Sequence, residues 1–130
     1  MITALVRPPT PALARCALTF VERAPIDPGR ALAQHRAYVR ALEAAGARVI
    51  ELPAAPESGP ELPDAPFVED AAVLLDGLAV LARPAEALRR RELPAVEAAL
   101  ARLGSVRIAG RIESPATLEG GDVLRIGRRL

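Results

Sequence analysis

Three carboxylates, Asp64, Glu69 and Asp70, fall within seven residues of the stretch Leu62-Pro63-Asp64-Ala65-Pro66-Phe67-Val68-Glu69-Asp70, immediately before an apolar run. Carboxylates grouped at the end of a strand suit a guanidinium, whose planar donors pair two at a time with carboxylate oxygens. The same residues suit a loop whose acids face water or cap a turn, and taken alone that plainer reading is preferred. A second acidic segment, Leu118-Glu119-Gly120-Gly121-Asp122, has glycines that let backbone or ligand approach closely, or simply turn the chain. The run Arg89-Arg90-Arg91 could hold a carboxylate, although a solvated basic face is the commoner meaning. His35 lies at helical spacing between Leu32 and Tyr38 or Val39, which marks a half-buried packing residue rather than a catalytic one. Cys16 is a lone cysteine beside Arg15, and lone cysteines are usually inert. No Ser-His-Asp order, zinc-ligand spacing or phosphate loop is present.

Composition narrows the classes further. All 17 basic residues are arginine, and they balance 16 acids to a net charge of +1, so there is no electrostatic case for nucleic acid. A single cysteine excludes an intramolecular disulfide and fits a reducing cytosol. Neither a signal peptide nor an 18-residue apolar run is evident, so a cytoplasmic chain without a membrane partner is expected. At 130 residues one domain fits. Its aromatics are only Phe20, Tyr38 and Phe67, so packing must rely on Leu, Val and Ile.

The elements that must position these residues follow from periodicity. Ile2 to Val6 reads as a strand stopped by Arg7-Pro8-Pro9, and Gly29 to Ala45 as an amphipathic helix with Gly46 after its end. Arg48 to Leu52 is a second strand, and the proline-rich stretch Pro53 to Pro63 is loop. Val68 to Leu75 and Leu78 to Arg83 flank Asp76-Gly77, the clearest hairpin signal in the chain. Glu92 to Leu103 is a second helix with Pro94 in its first turn, Val106 to Ile108 a strand, and Gly120 to Ile126 the first arm of another hairpin turning at Gly127.

This order repeats. Val6-Arg7-Pro8 recurs as Ala82-Arg83-Pro84, Ala41-Leu42 with Gly46 recurs as Ala99-Leu100 with Gly104, and Pro63 with Glu69-Asp70 recurs as Pro115 with Glu119 and Asp122. A period of roughly 50 residues marks units that bury their faces against one another. The units expected are 1–62, 63–114 and the start of a third at 115–130, all in one domain. Only Arg129 and Leu130 follow the turn at Gly127-Arg128. The chain therefore reads as interrupted, with sheet edges open to self-association.

Several segments together resemble the dimethylargininase (dimethylarginine dimethylaminohydrolase) family of the arginine deiminase and amidinotransferase superfamily. They are LPDAPFVED, the DG hairpin, ARP, RRRE and SPATLEGGDVLRIG, with PALARCALTF and QHRAYVRALEAAG earlier in the chain. The resemblance covers essentially all 130 residues. It implies an α/β fold that is part of a five-bladed, pentein-like propeller, about two and a half ββαβ units of five. It implies hydrolysis of Nω-methylated arginine to citrulline and a methylamine, without metal or cofactor. In such enzymes a cysteine thiolate attacks the guanidinium carbon and a histidine is the general acid and base.

By the same resemblance Asp64, Glu69 and Asp70 hold the substrate guanidinium and amino end, and Arg89 meets its α-carboxylate. Leu18 lines the site and offers its backbone carbonyl, and Glu119 orients the catalytic histidine. Arg91 stands where the family usually has glycine. The family's histidine and nucleophilic cysteine have no counterpart here, since neither His35 nor Cys16 falls at a matching position. The chain alone is thus expected to be silent, as the N-terminal part of such a hydrolase. An arginine deiminase-like fragment and a non-catalytic arginine-binding or pairing module are the alternatives.

Overall fold

The structure, a computed structural model, describes residues 1–55 and 59–127. The chain divides into two compact units, Met1–Pro66 and Phe67–Leu130. The α/β class expected from the sequence is the one observed.

In the first unit β1 (Thr3–Val6) runs into Pro8 and Pro9, which have no N–H to offer a neighbouring strand. A 3-10 turn over Pro11–Arg15 follows, not anticipated from the sequence, with the Thr10 hydroxyl accepting the Ala12 N–H at 3.2 Å. Helix α1 (Pro28–Ala44) starts where Asp27 accepts the Arg30 N–H at 3.0 Å and a proline takes the first helical position. It is released at Gly46, whose φ of 86° is the left-handed geometry of a helix end. β2 (Arg48–Glu51) then pairs parallel to β1, with Thr3 opposite Arg48 and Val6 opposite Glu51. A parallel pair needs such a crossover, and α1 supplies it. Along α1, Leu32, His35, Val39 and Leu42 are partly covered as the spacing requires, whereas Tyr38 is 56% exposed.

The second unit has the order strand, strand, helix, strand. β3 (Ala72–Leu75) and β4 (Leu78–Leu81) form the expected antiparallel hairpin. Its turn residues Asp76 and Gly77 have φ of 48° and 79°, which suit the right-handed twist of the flanking strands. Helix α2 (Leu93–Arg102) returns the chain so that β5 (Arg107–Arg111) lies parallel to β4, with a bulge opposite Ala79 and Val80. On α2, Val96, Ala99 and Leu100 are buried, the i, i+3, i+4 stripe of a helix packed on a sheet. Leu81 and Leu100, each 1% exposed, are the largest fully buried side chains of this core among the described residues.

Two expected strand segments are turns. Val68–Ala71 is a 3-10 turn, and β3 begins only at Ala72. Glu69 and Asp70 are poor strand formers, and the Asp70 N–H bonds locally to the Phe67 carbonyl instead of to a neighbouring strand. Gly120–Asp122 is likewise a 3-10 turn, held by Asp122 N–H to Glu119 and Val123 N–H to Gly120. Paired glycines have no side chain to pack on a sheet. β4 stops at Leu81, two residues short of its expected end, although Arg83 still exchanges both backbone bonds with Leu118. The return arm anticipated at 128–130 lies outside the described residues. Among the described residues no helix is long and apolar enough to cross a membrane.

Removing the Leu100 side chain by Leu100→Ala should cost about 2–5 kcal/mol, because the site cannot collapse fully around the lost atoms. Tyr38→Ala should change stability by only about 0.5 kcal/mol. Urea denaturation of both variants checks the contrast.

Candidate functional site

The carboxylates singled out by the sequence have very different surroundings. In the first unit Asp64 sits in the turn after Leu62 and is only 6% exposed. Its Oδ1 accepts the Ala17 N–H at 3.0 Å, so the acid fastens the segment that follows the Pro11–Arg15 turn. Leu18, the next residue, is 40% exposed. Arg23 also holds this segment, donating to the carbonyls of Ala14 and Cys16 at 2.6 Å each. Arg15 pairs with Glu61. Cys16 is buried. His35 has a side chain 11% exposed, with Nε2 3.3 Å from a Glu51 carboxylate oxygen on β2, which is the packing role its spacing indicated.

In the second unit Asp70, Arg89, Glu92 and Glu119 form one charge cluster. Three 3-10 turns bring them together: Val68–Ala71, Arg89–Glu92 and Gly120–Asp122. The Arg89 guanidinium is 7% exposed and all its edges are engaged. Its Nε and Nη2 donate to the two Glu92 carboxylate oxygens at 3.4 and 3.3 Å, and its Nη1 donates to Asp70 Oδ2 at 2.8 Å. The same Nη1 stands 3.6 Å from Glu119. Asp70 uses its other oxygen, Oδ1, to accept the Gly121 N–H at 3.1 Å. Glu69 is exposed.

Burial by itself pushes the Arg89 guanidinium toward its neutral form. The hydrogen bond to Asp70 and the charge of Glu92 outweigh that and hold its pKa above the ordinary arginine value. Asp70, Glu92 and Glu119 thus share the one Arg89 guanidinium. Burial also explains why Arg89 is not the solvated basic tip its sequence run suggested. Its neighbour Arg90 is turned onto the Pro84 and Ala85 carbonyls, and Arg91 is exposed.

Gly120 and Gly121 are needed for this approach. A Cβ on Gly120 would collide with the Glu69 and Ala72 carbonyl oxygens, and one on Gly121 with the Asp70 carboxylate. Glu92 was not singled out as a site residue. Its signal was present in the three-residue spacing from Arg89, which sets two side chains side by side on a helical turn. Among the described residues no group of His, Cys, Asp and Glu has the arrangement of a metal site.

Arg89→Ala should destabilise the second unit by about 3–5 kcal/mol, because it removes the cation that Asp70, Glu92 and Glu119 share in a buried setting. Gly121→Ala should displace Asp70 and abolish the hydrogen-exchange protection of that backbone N–H. Denaturation curves check the first, and amide exchange by NMR the second.

No protein-family model matches the chain. It is 46% identical over 124 residues to the N(G),N(G)-dimethylarginine dimethylaminohydrolase of Streptomyces coelicolor, a match covering 95% of this chain and 46% of that protein. It is 36% identical over 101 residues to the enzyme of the same name from Pseudomonas aeruginosa, covering 78% and 38%. A solved structure of a DDAH from Pseudomonas aeruginosa, a cysteine-to-serine mutant complexed with citrulline, superposes with a TM-score of 0.81 at 33% identity. That alignment covers 97% of this chain and 47% of the other. The chain thus spans about half the length, or less, of the relatives it matches, and it is a homologue of the dimethylarginine dimethylaminohydrolase family corresponding to the N-terminal part of those chains.

Proposed function

We propose that this chain supplies the substrate-holding part of a hydrolase acting on Nω-methylated arginine, and that by itself it holds the substrate without turning it over. The observation that carries the reading is the Asp70 and Glu119 pair. Both carboxylates lie on the same Arg89 nitrogen, two acids facing one guanidinium, so a further cation is favoured there, and a guanidinium matches the planar geometry of carboxylates. The solved structure from Pseudomonas aeruginosa is a complex with citrulline, the product such a reaction would release.

In this reading Asp70 and Glu69 take the guanidinium, Asp64 acts toward the amino end, and Leu18 offers its backbone carbonyl. Glu119 orients the histidine of the complete reaction. Arg89 remains the cation of the set, but an α-carboxylate would have to compete with Asp70 for its Nη1. In this reading the strand-strand-helix-strand order from Ala72 to Arg111 is one ββαβ unit of a pentein-like propeller, with the chain divided as 1–62, 63–114 and 115–130. Neither His35, engaged with Glu51, nor the buried Cys16 has the setting of an acid–base group or nucleophile.

The test is to follow the 130-residue chain by NMR while adding Nω,Nω-dimethylarginine, and to assay the same sample for citrulline. Saturable shifts at the Gly121 and Glu119 amides with no citrulline above background are expected. Absence of any shift would overturn the binding role. Citrulline formation would overturn the assignment of the nucleophile and direct attention to Cys16.

A further inference from the structure

We infer that Glu92 is a positioning residue for the guanidinium-binding carboxylates, an inference that rests on the arginine-binding role just proposed. A guanidinium presents its donors in a rigid fork, so fixing one edge fixes the direction of the rest. Glu92 takes the Nε and Nη2 edge of Arg89, which leaves Nη1 directed at Asp70 and Glu119. Both members of this pair are buried, Glu92 at 4% and Arg89 at 7%, so the clamp sits where charge interactions are least screened. Asp70 is in turn held between Arg89 on one oxygen and the Gly121 N–H on the other.

The clamp also sets the charge available to a ligand. An ionised Glu92 offsets charge on Arg89, so Asp70 and Glu119 face an incoming cation with less of their own charge already neutralised. With Glu92 neutral, the Arg89 charge falls on Asp70 and Glu119 and competes with that cation. A positioning role therefore acts on cationic ligands and spares neutral ones of the same shape. A purely structural role for Glu92 would weaken both alike.

Glu92→Gln keeps the size of the side chain and removes its charge. Affinities of wild type and variant for Nω,Nω-dimethylarginine, whose side chain is cationic, and for citrulline, whose side chain is neutral, are measured by NMR titration. The expected result is about tenfold weaker binding of dimethylarginine, equivalent to about 1.4 kcal/mol, with citrulline changed by less than about twofold. Equal weakening of both ligands, or no change in either, overturns the proposal. Should the variant not fold, the wild-type Arg89 side chain decides. Separate, slowly exchanging Nη signals in its 15N spectrum are expected from a clamped guanidinium, and one averaged signal overturns the clamp. If wild type binds neither ligand, the proposed function fails, while the Arg89 spectrum still reports whether the clamp exists.

Discussion

A buried guanidinium has to be surrounded by acceptors, and the second unit is arranged around meeting that demand for Arg89. Leaving a charge unpaired away from water costs as much as a large packing defect, so groups that could answer it are drawn inward. Glu92 answers from three residues along the chain, Asp70 from the turn before β3, and Glu119 from the turn after β5. Segments distant in sequence are thereby tied to one side chain. The ties need short backbone approaches, which is why glycines occupy positions 120 and 121.

The same constraint links stability to chemistry. An acidic cluster that only balanced its own arginine would carry no charge for a ligand. Here Nη1 of one guanidinium faces both Asp70 and Glu119, the two less deeply buried of the three acids. Arg89 thus brings Asp70 and Glu119 close without neutralising both. Asp70 has a further restraint in the Gly121 N–H, so one of its oxygens is oriented by a neutral donor and the other by a charged one. Carboxylates restrained in this way lose little further freedom when a guanidinium arrives, which is the physical content of preorganisation.

Asp64 shows that adjacency in a motif need not mean a common role. It lies six residues before Asp70, yet it is buried and serves first to hold the Ala17 backbone, with Leu18 following directly. An acid that accepts a backbone N–H fixes a loop as a cap fixes a helix. Arg23 completes the restraint through the carbonyls of Ala14 and Cys16. Position and polarity of this segment therefore come from two ionisable side chains, not from apolar packing, consistent with its many exposed residues between Ala17 and Arg23.

Much of this was legible in the sequence because it is local. The Asp76-Gly77 turn, the limits of α1 and α2, the strand stops at proline and the packing of His35 each depend on residues a few positions apart, whose conformational preferences act wherever the chain goes. The acidic segments around Asp70 and Glu119 were also legible as candidates, from residue type and from family resemblance. Their partners were not. Nothing in the spacing shows that Arg89 turns inward onto Asp70 and Glu119, or that Asp64 faces the Ala17 backbone. Those outcomes depend on contacts across roughly 20 to 50 residues of chain, where loop-closure entropy is offset only by interactions made in the folded state. The sequence by itself determined which side chains could carry charge and where the chain could turn; the tertiary structure alone decided which charges meet, because only burial makes their pairing obligatory.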